Sequence, residues 1–334
     1  MRAWVVDVPG PIAGGPVVPV DRADPVPGPG QVRVRIEVCG VCRTDLHLAE
    51  GDLPPRRHGV VPGHEIVGHV DALGEGAQRF AEGDGVGVAW LARTDGTCRF
   101  CLTGRENLCL QPTFTGWDVD GGYAQLCVVD ERFAYAVPDD LDAQATAPLL
   151  CAGIIGYRSL RASAVRPGGV LGIYGFGGSA HITAQVALAE GMRVHVLTRG
   201  EANQELAREL GAHSVGGATD EPPEPLDGAI LFAPAGELVP VALRALDRGG
   251  TLACAGIWLS DIPSLNYDRD LFQERRLRSV TANTREDGEE LLRLAAQYGV
   301  RTTTTPYPFD HADQALADLA AGTFSGAAVL QVGK

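Results

Sequence analysis

Every second residue of the stretch 32–38, VRVRIEV, is apolar, and this alternation predicts a half-buried β-strand. The same signal, interrupted by Pro and Gly, appears at 3–8 (AWVVDV), 65–74 (EIVGHVDALG) and 84–91 (DGVGVAWL), with a Pro/Gly-rich loop over 9–30. The first part of the chain therefore reads as an irregular β-rich domain. Near Gly153 the pattern changes to short apolar runs separated by helix-length segments. Strands are expected at 170–175, 194–198, 229–233 and 251–257, and helices at about 179–190, 202–210 and 238–246. Such alternation predicts βαβ units and a parallel sheet. Past Asn283 come two amphipathic helices (286–299 and 311–322) and a last strand, AAVLQV.

A chain of 334 residues suits two domains. The boundaries expected are 1–151 with 283–334 for the β-rich domain and 152–282 for the parallel-sheet domain. A formal charge of −14 argues against a nucleic-acid partner or an anionic membrane surface, since either calls for a basic patch. No apolar run is long enough to span a bilayer and the start, MRAWVVDVPG, lacks the plan of a signal peptide, so a cytoplasmic protein is expected. Eight cysteines, several at short spacing and interleaved with histidines, suit metal binding better than a disulfide framework.

Two cysteine constellations stand out. In the stretch 39–65, Cys42 and His64 are good zinc ligands, each followed closely by a carboxylate, Asp45 and Glu65, among glycines and prolines that suggest loops. A zinc site that does chemistry takes three protein ligands and keeps a fourth position open. Cys151, where the β-rich part hands over to the βαβ part, is the third candidate, and Cys39 is the rival to Cys42. Taken singly, either cysteine would read as a small buried hydrophobe. His58 and His69 read as surface or hydrogen-bonded residues. In DGTCRFCLTGRENLC, Cys98, Cys101 and Cys109 are spaced to wrap one tetrahedral ion, with Asp95 as the fourth ligand of a closed, structural zinc site. Cys127 and Cys254 lie in strand-like runs and are expected in the core.

The segment VLGIYGFGGSAHITAQVALAEG joins a strand, a turn built of Gly175, Phe176, Gly177, Gly178 and Ser179, and a helix. Glycines there permit close approach of a pyrophosphate, whose charge the helix N-terminus favours. A free ribose 2′-hydroxyl calls for an acid at the end of the next strand. This chain offers Thr198 and Arg199 instead, so NADP is expected over NAD. In the alternative, Arg199 faces solvent and NAD binds through its hydroxyls.

Together, GVCRTDLH, PGHE, the CRFC…C lobe, APLLCAG and GFGGSA resemble the zinc-dependent medium-chain alcohol dehydrogenases over essentially the whole chain. The resemblance implies an α/β protein: a GroES-like catalytic domain built from both chain ends, and an inserted Rossmann domain with a doubly wound parallel sheet. It further implies that Cys42, His64 and Cys151 hold the catalytic zinc, that Thr44 contacts the alcohol oxygen, that His47 ends a proton relay, and that Arg43 meets the pyrophosphate. Zinc lowers the pKa of the alcohol, which then gives hydride to the nicotinamide. Asp45 would orient the ligand imidazole through its other nitrogen, and Glu65 would touch zinc transiently. Three positions depart from the family pattern: Asp95 replaces a cysteine, Ile155 and Gly156 stand where many relatives have a threonine and a β-branched residue, and the cofactor-binding acid is missing.

Trp90 and Trp117 match positions that wall the substrate pocket in relatives, whereas Trp4 and Trp258 read as core aromatics. A pocket between two tryptophans favours unbranched or aromatic primary alcohols and aldehydes. The alternatives are a relative acting on secondary alcohols, polyols or a hydroxymethyl-thiol adduct, and a noncatalytic zinc- and nucleotide-binding protein. The resemblance also implies a homo-oligomer, either dimer or tetramer.

Overall fold

A computed structural model describes residues 1–333 and divides into two compact units. One comprises residues 1–151, 282–296 and 301–334, and the other residues 152–281 and 297–300.

The first unit is built on a seven-stranded sheet around the long strand Gln31–Val41. Its first half pairs antiparallel with Leu126–Asp130, its last four residues with Ala327–Gln331, and most of its length with Ile66–Leu73. Register shifts between Arg33 and Val34 and between Ile36 and Val38 coil the strand enough to serve three neighbours. Val32, Val34 and Ile36 are buried while Glu37 is exposed, as alternation requires; from Val38 to Val41 every residue is buried. The strand thus runs from a half-buried sheet into the core and delivers Cys42 there. Val32, Val34, Ile36, Ile66, Val86, Val88 and Leu330 share this core. Each such side chain stabilises the fold by roughly 1.5–3 kcal/mol on full burial.

The loop expected after Cys42 is in fact a helix, Arg43–Glu50. Two features of RTDLHLAE explain it. Asp45 reaches back to accept from the Cys42 backbone N–H at 2.9 Å, and Leu46, Leu48 and Ala49 are buried. Gly51, in the left-handed region at φ 92°, ends it.

In the second unit six parallel strands lie in the order Ser214–Gly216, Arg193–Leu197, Val170–Tyr174, Leu226–Leu231, Leu246–Cys254, Arg276–Ser279. The chain winds outward from Val170–Tyr174 in one direction, then returns and winds in the other, which is the doubly wound pattern. Val170–Tyr174 is buried throughout, as a central parallel strand covered on both faces must be. Helices Gly178–Ala189, Glu201–Glu209 and Leu238–Ala245 begin and end within a residue of expectation. The helix Ala152–Ala162, rich in Gly, Ile and Tyr and unmarked by any cap signal, was not foreseen. The strand expected over 251–257 starts earlier, at Leu246, and stops at Cys254.

That early stop corrects one expectation. Trp258 is 65% exposed and Ile257 80% exposed, because the chain has left the sheet by Gly256 and no longer alternates between core and surface. Trp4 is a core residue as expected, its indole N–H donating to the Phe309 carbonyl at 2.9 Å. Cys127 and Cys254 are buried. Among the described residues, no helix is long and apolar enough to cross a membrane.

Candidate metal centre and nucleotide-binding turn

Cys42 stands at the N-cap of helix Arg43–Glu50, His64 follows the turn at Gly63, and Cys151 follows the short turn Ala147–Leu150. Gly63 has φ 97°, and a Cβ there would press on the Tyr123 ring and lie 2.8 Å from Cys39 Sγ, so the backbone beside His64 admits only glycine. One ligand atom each from Cys42, His64, Glu65 and Cys151 lies within 4.8 Å of the others. The two sulfurs are 3.8 Å apart, and His64 Nε2 is 3.4 Å from Cys151 Sγ. Cys39, the rival, is outside this set, its thiol donating to the Gly40 carbonyl at 3.4 Å.

Asp45 is 2% exposed and ties the constellation together. Its Oδ1 accepts from Gly63 N at 3.1 Å and lies 3.1 Å from His64 Nδ1, while its Oδ2 accepts from Cys42 N at 2.9 Å and, at 3.5 Å, from the buried Tyr123 hydroxyl. An ionised carboxylate only accepts, so His64 Nδ1 carries the hydrogen and Nε2 keeps its lone pair for a metal. Burial alone would lower the His64 pKa, but the charge of Asp45 and its hydrogen bond raise it well above the ordinary value, so a metal at Nε2 would take the place of a proton there.

The sulfurs behave as an asymmetric pair. A hydrogen bond from Cys151 holds the Cys42 thiol well below its usual range, and the same contact together with burial pushes Cys151 well above its own. Burial likewise pushes the Glu65 carboxyl well above its ordinary value. A second thiolate in this spot therefore needs a cation beside it. Two sulfurs and an imidazole nitrogen are the donors zinc prefers, and the residues present fit that ion.

Asp95, Cys98, Cys101 and Cys109 form a second group whose ligand atoms also lie within 4.8 Å of one another. Asp95 Oδ1 accepts from the backbone N–H groups of Cys98 and Thr97, both at 2.8 Å, which hold its carboxyl well below the usual range. Cys98 Sγ and Cys101 Sγ are 3.6 Å apart, and Cys109 Sγ accepts from Asp95 N and Gln111 N. The carboxylate thus organises the loop as well as completing the donor set. Asp95→Ala should lower the zinc content measured by elemental analysis and leave most turnover in place; an unchanged zinc content would remove Asp95 from the set.

Beside His64 stands an aromatic group. Trp90 meets the imidazole edge-on with ring centroids 5.0 Å apart, and lies near-parallel to Phe114 at 4.9 Å and to Trp117 at 6.0 Å. Trp117 is fixed by its indole N–H, which donates to the Pro54 carbonyl at 2.9 Å, and by the Arg56 guanidinium 4.0 Å over its ring. Trp90 and Trp117 were singled out in the sequence; Phe114 was not, although it shares the TFTGW stretch with Trp117. Thr44 is half-buried with its Oγ1 3.8 Å from Cys42 Sγ, His47 lies one turn further along the same helix, and Arg43 is exposed.

In the second unit the turn from Gly175 to Ser179 joins Val170–Tyr174 to the helix Gly178–Ala189. Gly175 is required by the fold: its φ is 86°, and a Cβ would lie 2.8 Å from Ala233 N. Gly177 and Gly178 differ, because both are exposed and a Cβ on either would meet nothing within 4 Å. Nothing in the protein itself needs glycine there, but a phosphate lying against the backbone at the helix N-terminus would. Phe176 is buried at 2%, Ser179 is half-buried, Thr198 is buried at the end of the adjoining strand, and Arg199 is exposed.

The chain matches the alcohol dehydrogenase GroES-like domain over residues 28–139 and the zinc-binding dehydrogenase domain over 178–297. It is 56% identical to a probable alcohol dehydrogenase, AdhA, of Mycobacterium tuberculosis, over 99% of this chain and 97% of that one. The crystal structure of CAD from Helicobacter pylori, complexed with NADP(H), superposes with a TM-score of 0.87 at 25% identity, covering 100% of this chain and 98% of its own. An acetophenone reductase from Geotrichum candidum, in complex with NAD, does so with a TM-score of 0.85 at 25% identity, covering 99% and 96%.

Proposed function

Because the chain belongs to the zinc-dependent medium-chain alcohol dehydrogenases, we propose that it catalyses reversible hydride transfer between a primary alcohol, aliphatic or aromatic, and NADP. The observation that carries this reading is the convergence of Cys42, His64 and Cys151, with the far nitrogen of His64 held by Asp45. A zinc ion held there would act as a Lewis acid on the substrate oxygen. The nicotinamide would accept or supply the hydride.

The remaining work falls to this chain's own side chains. Thr44, two residues past Cys42, offers a hydroxyl that can hold the substrate hydroxyl and take its proton. His47, three residues on, lies on the same face of the helix and can carry that proton outward. Trp90, Phe114 and Trp117 line one side of the space next to His64 with flat apolar surface, which supports slender or aromatic substrates over polyols and helps keep water away. Arg43 is the cation this reading assigns to the pyrophosphate, and Glu65 the carboxyl assigned to transient metal contact.

NADP is favoured over NAD because Thr198 and the exposed Arg199 stand where NAD binding would call for an acid. Arg199→Ala should raise KM for NADP by about tenfold while moving that for NAD less than twofold, a charge-assisted phosphate contact being worth roughly 1.5 kcal/mol or more. Equal effects on both cofactors would remove the 2′-phosphate argument. We also propose a homo-oligomer and a cytoplasmic location. The first is supported by the exposed edge strand Arg276–Ser279, flanked in sequence by exposed Ile257, Trp258, Tyr267 and Phe272. The second is supported by eight cysteines that are all free.

The test of the activity is direct. Purified protein is mixed with a panel of primary alcohols, secondary alcohols, polyols and aldehydes and with either nicotinamide cofactor, and the reduced-cofactor absorbance is followed. Turnover confined to polyols or secondary alcohols would overturn the substrate class, and no turnover by zinc-loaded protein would overturn the reaction.

A further inference from the structure

We propose that Asp52 is a positioning residue for the proton path: it fixes the tautomer of His47 and stabilises the imidazolium that forms when His47 takes a proton. The inference rests on the dehydrogenase reading above, in which His47 carries the proton outward.

The geometry around His47 is built by the chain that follows it. Helix Arg43–Glu50 stops at Gly51, whose φ of 92° turns the backbone back over the last turn. The carbonyl of His47 accepts from Gly51 N and from Leu53 N, both at 3.0 Å. The two neighbours of Asp52 are thus pinned to the backbone of the histidine itself. Asp52 stands between them, and its Oδ2 lies 3.0 Å from His47 Nδ1. The contact is a consequence of the turn, since a one-residue shift in where the helix ends would carry the carboxylate away.

The chemistry follows from what a carboxylate can do. Ionised, it only accepts, so His47 Nδ1 carries the hydrogen and Nε2 is the nitrogen with a free lone pair. That nitrogen is then the base. When it takes a proton the ring becomes a cation, and Asp52 at 3.0 Å is the charge that faces it. Asp52 does not take the proton, which leaves from the imidazole to water, and nothing is oxidised or reduced. The arrangement works as the orienting acid of a nucleophile–histidine–acid triad does, by setting tautomer and charge rather than by taking the proton. Both side chains retain solvent contact, His47 at 38% and Asp52 at 69% of their side-chain surface, which suits the outer end of a proton path and limits the size of the effect.

The experiment compares zinc-loaded wild type with Asp52→Ala, Asp52→Asn, His47→Gln and the double variant Asp52→Ala/His47→Gln. Asp52→Ala is expected to lower kcat by about three- to tenfold with KM within about twofold, a fraction of what a positioned acid–base group supplies. Asp52→Asn, which can still accept from Nδ1 but lacks the charge, should fall between the two. The double variant should be no slower than His47→Gln alone, because Asp52 acts through the histidine. Nitrogen-15 NMR of labelled imidazole gives a readout apart from turnover: His47 should be the Nδ1–H tautomer in the wild type and should shift towards Nε2–H in Asp52→Ala. Wild-type kcat in Asp52→Ala beside a slow His47→Gln would overturn the role of Asp52 alone. Wild-type kcat in His47→Gln would instead overturn the proton path it depends on. Additive losses in the double variant, or an unchanged tautomer, would reduce Asp52 to a surface turn residue.

Discussion

Replacing Cys42 by serine is expected to abolish turnover, by roughly a thousandfold or more, and to release one of two zinc ions while the fold survives. The fold should survive because of where Cys42 sits. It is the N-cap of helix Arg43–Glu50, and serine is among the residues that cap helices best. The loss should be large because the change removes a thiolate. The Cys42 thiol is held well below its usual range by its contact with Cys151, 3.8 Å away, whereas a serine hydroxyl in the same place stays neutral. A Lewis-acid metal supplies several kcal/mol of stabilisation to developing charge on oxygen, and each 1.4 kcal/mol is about a factor of ten in rate. Elemental analysis, circular dichroism and the nicotinamide absorbance assay on the same preparation would read all three expectations. Activity retained at wild-type level would show that the metal reading of this constellation is mistaken.

The change from a β-rich part to a parallel-sheet part is legible in the sequence because each carries one dominant periodicity. VRVRIEV alternates, and an alternating strand can lie only on a half-buried sheet; VLGIY does not alternate, and a strand apolar throughout suits a sheet covered on both faces. The grouping of Cys42, His64, Glu65 and Cys151, and of Asp95, Cys98, Cys101 and Cys109, was legible as well, since sulfur and imidazole at motif spacing have few other uses in loops. What escaped was whatever depends on packing between distant segments. Helix Arg43–Glu50 is short and carries Thr, Asp and His, none a strong helix former, and it forms because Asp45 caps it and because Leu46, Leu48 and Ala49 find a core to enter. Phe114 joins the aromatic group only because a two-stranded sheet, Leu91–Arg93 with Thr113–Phe114, sets it beside Trp90. Trp258 was misjudged since no local signal says where the preceding strand ends.

The glycines make the same point from the other side. Spacing identifies Gly175, Gly177 and Gly178 as one motif, yet their reasons differ. A side chain on the first would collide with Ala233, while the other two face empty space. Only the coordinates separate the glycine that the fold needs from the two that a ligand would need.

Asp45→Asn is the second change expected to have a large effect, because Asn cannot do what all four contacts ask. Every group facing Asp45 is a donor: the N–H groups of Cys42 and Gly63, the His64 Nδ1–H and the Tyr123 hydroxyl. An amide offers one acceptor oxygen and turns its NH₂ towards the other pair; the Tyr123 hydroxyl can turn to accept from it, but the backbone N–H of Cys42 or of Gly63 cannot, so a buried donor is left without a partner in a spot that is 2% exposed. Orphaning a buried donor costs roughly 1–3 kcal/mol. The consequence for the metal is distinct from the loss of stability. If the amide oxygen stays with His64, the Cys42 backbone is freed; if it stays with Cys42, the imidazole loses the partner that fixes its tautomer. Either way one ligand is no longer held, and loss of such an outer partner weakens metal affinity by about 10- to 100-fold. The variant should therefore melt earlier and give up zinc to a chelator much faster than the wild type. Metal binding at the group Asp95, Cys98, Cys101 and Cys109, which does not share these contacts, should be unchanged. Zinc release from both sites at equal rates would mean that the substitution loosens the whole unit, and unchanged release would mean that Asp45 does not hold His64 for a metal.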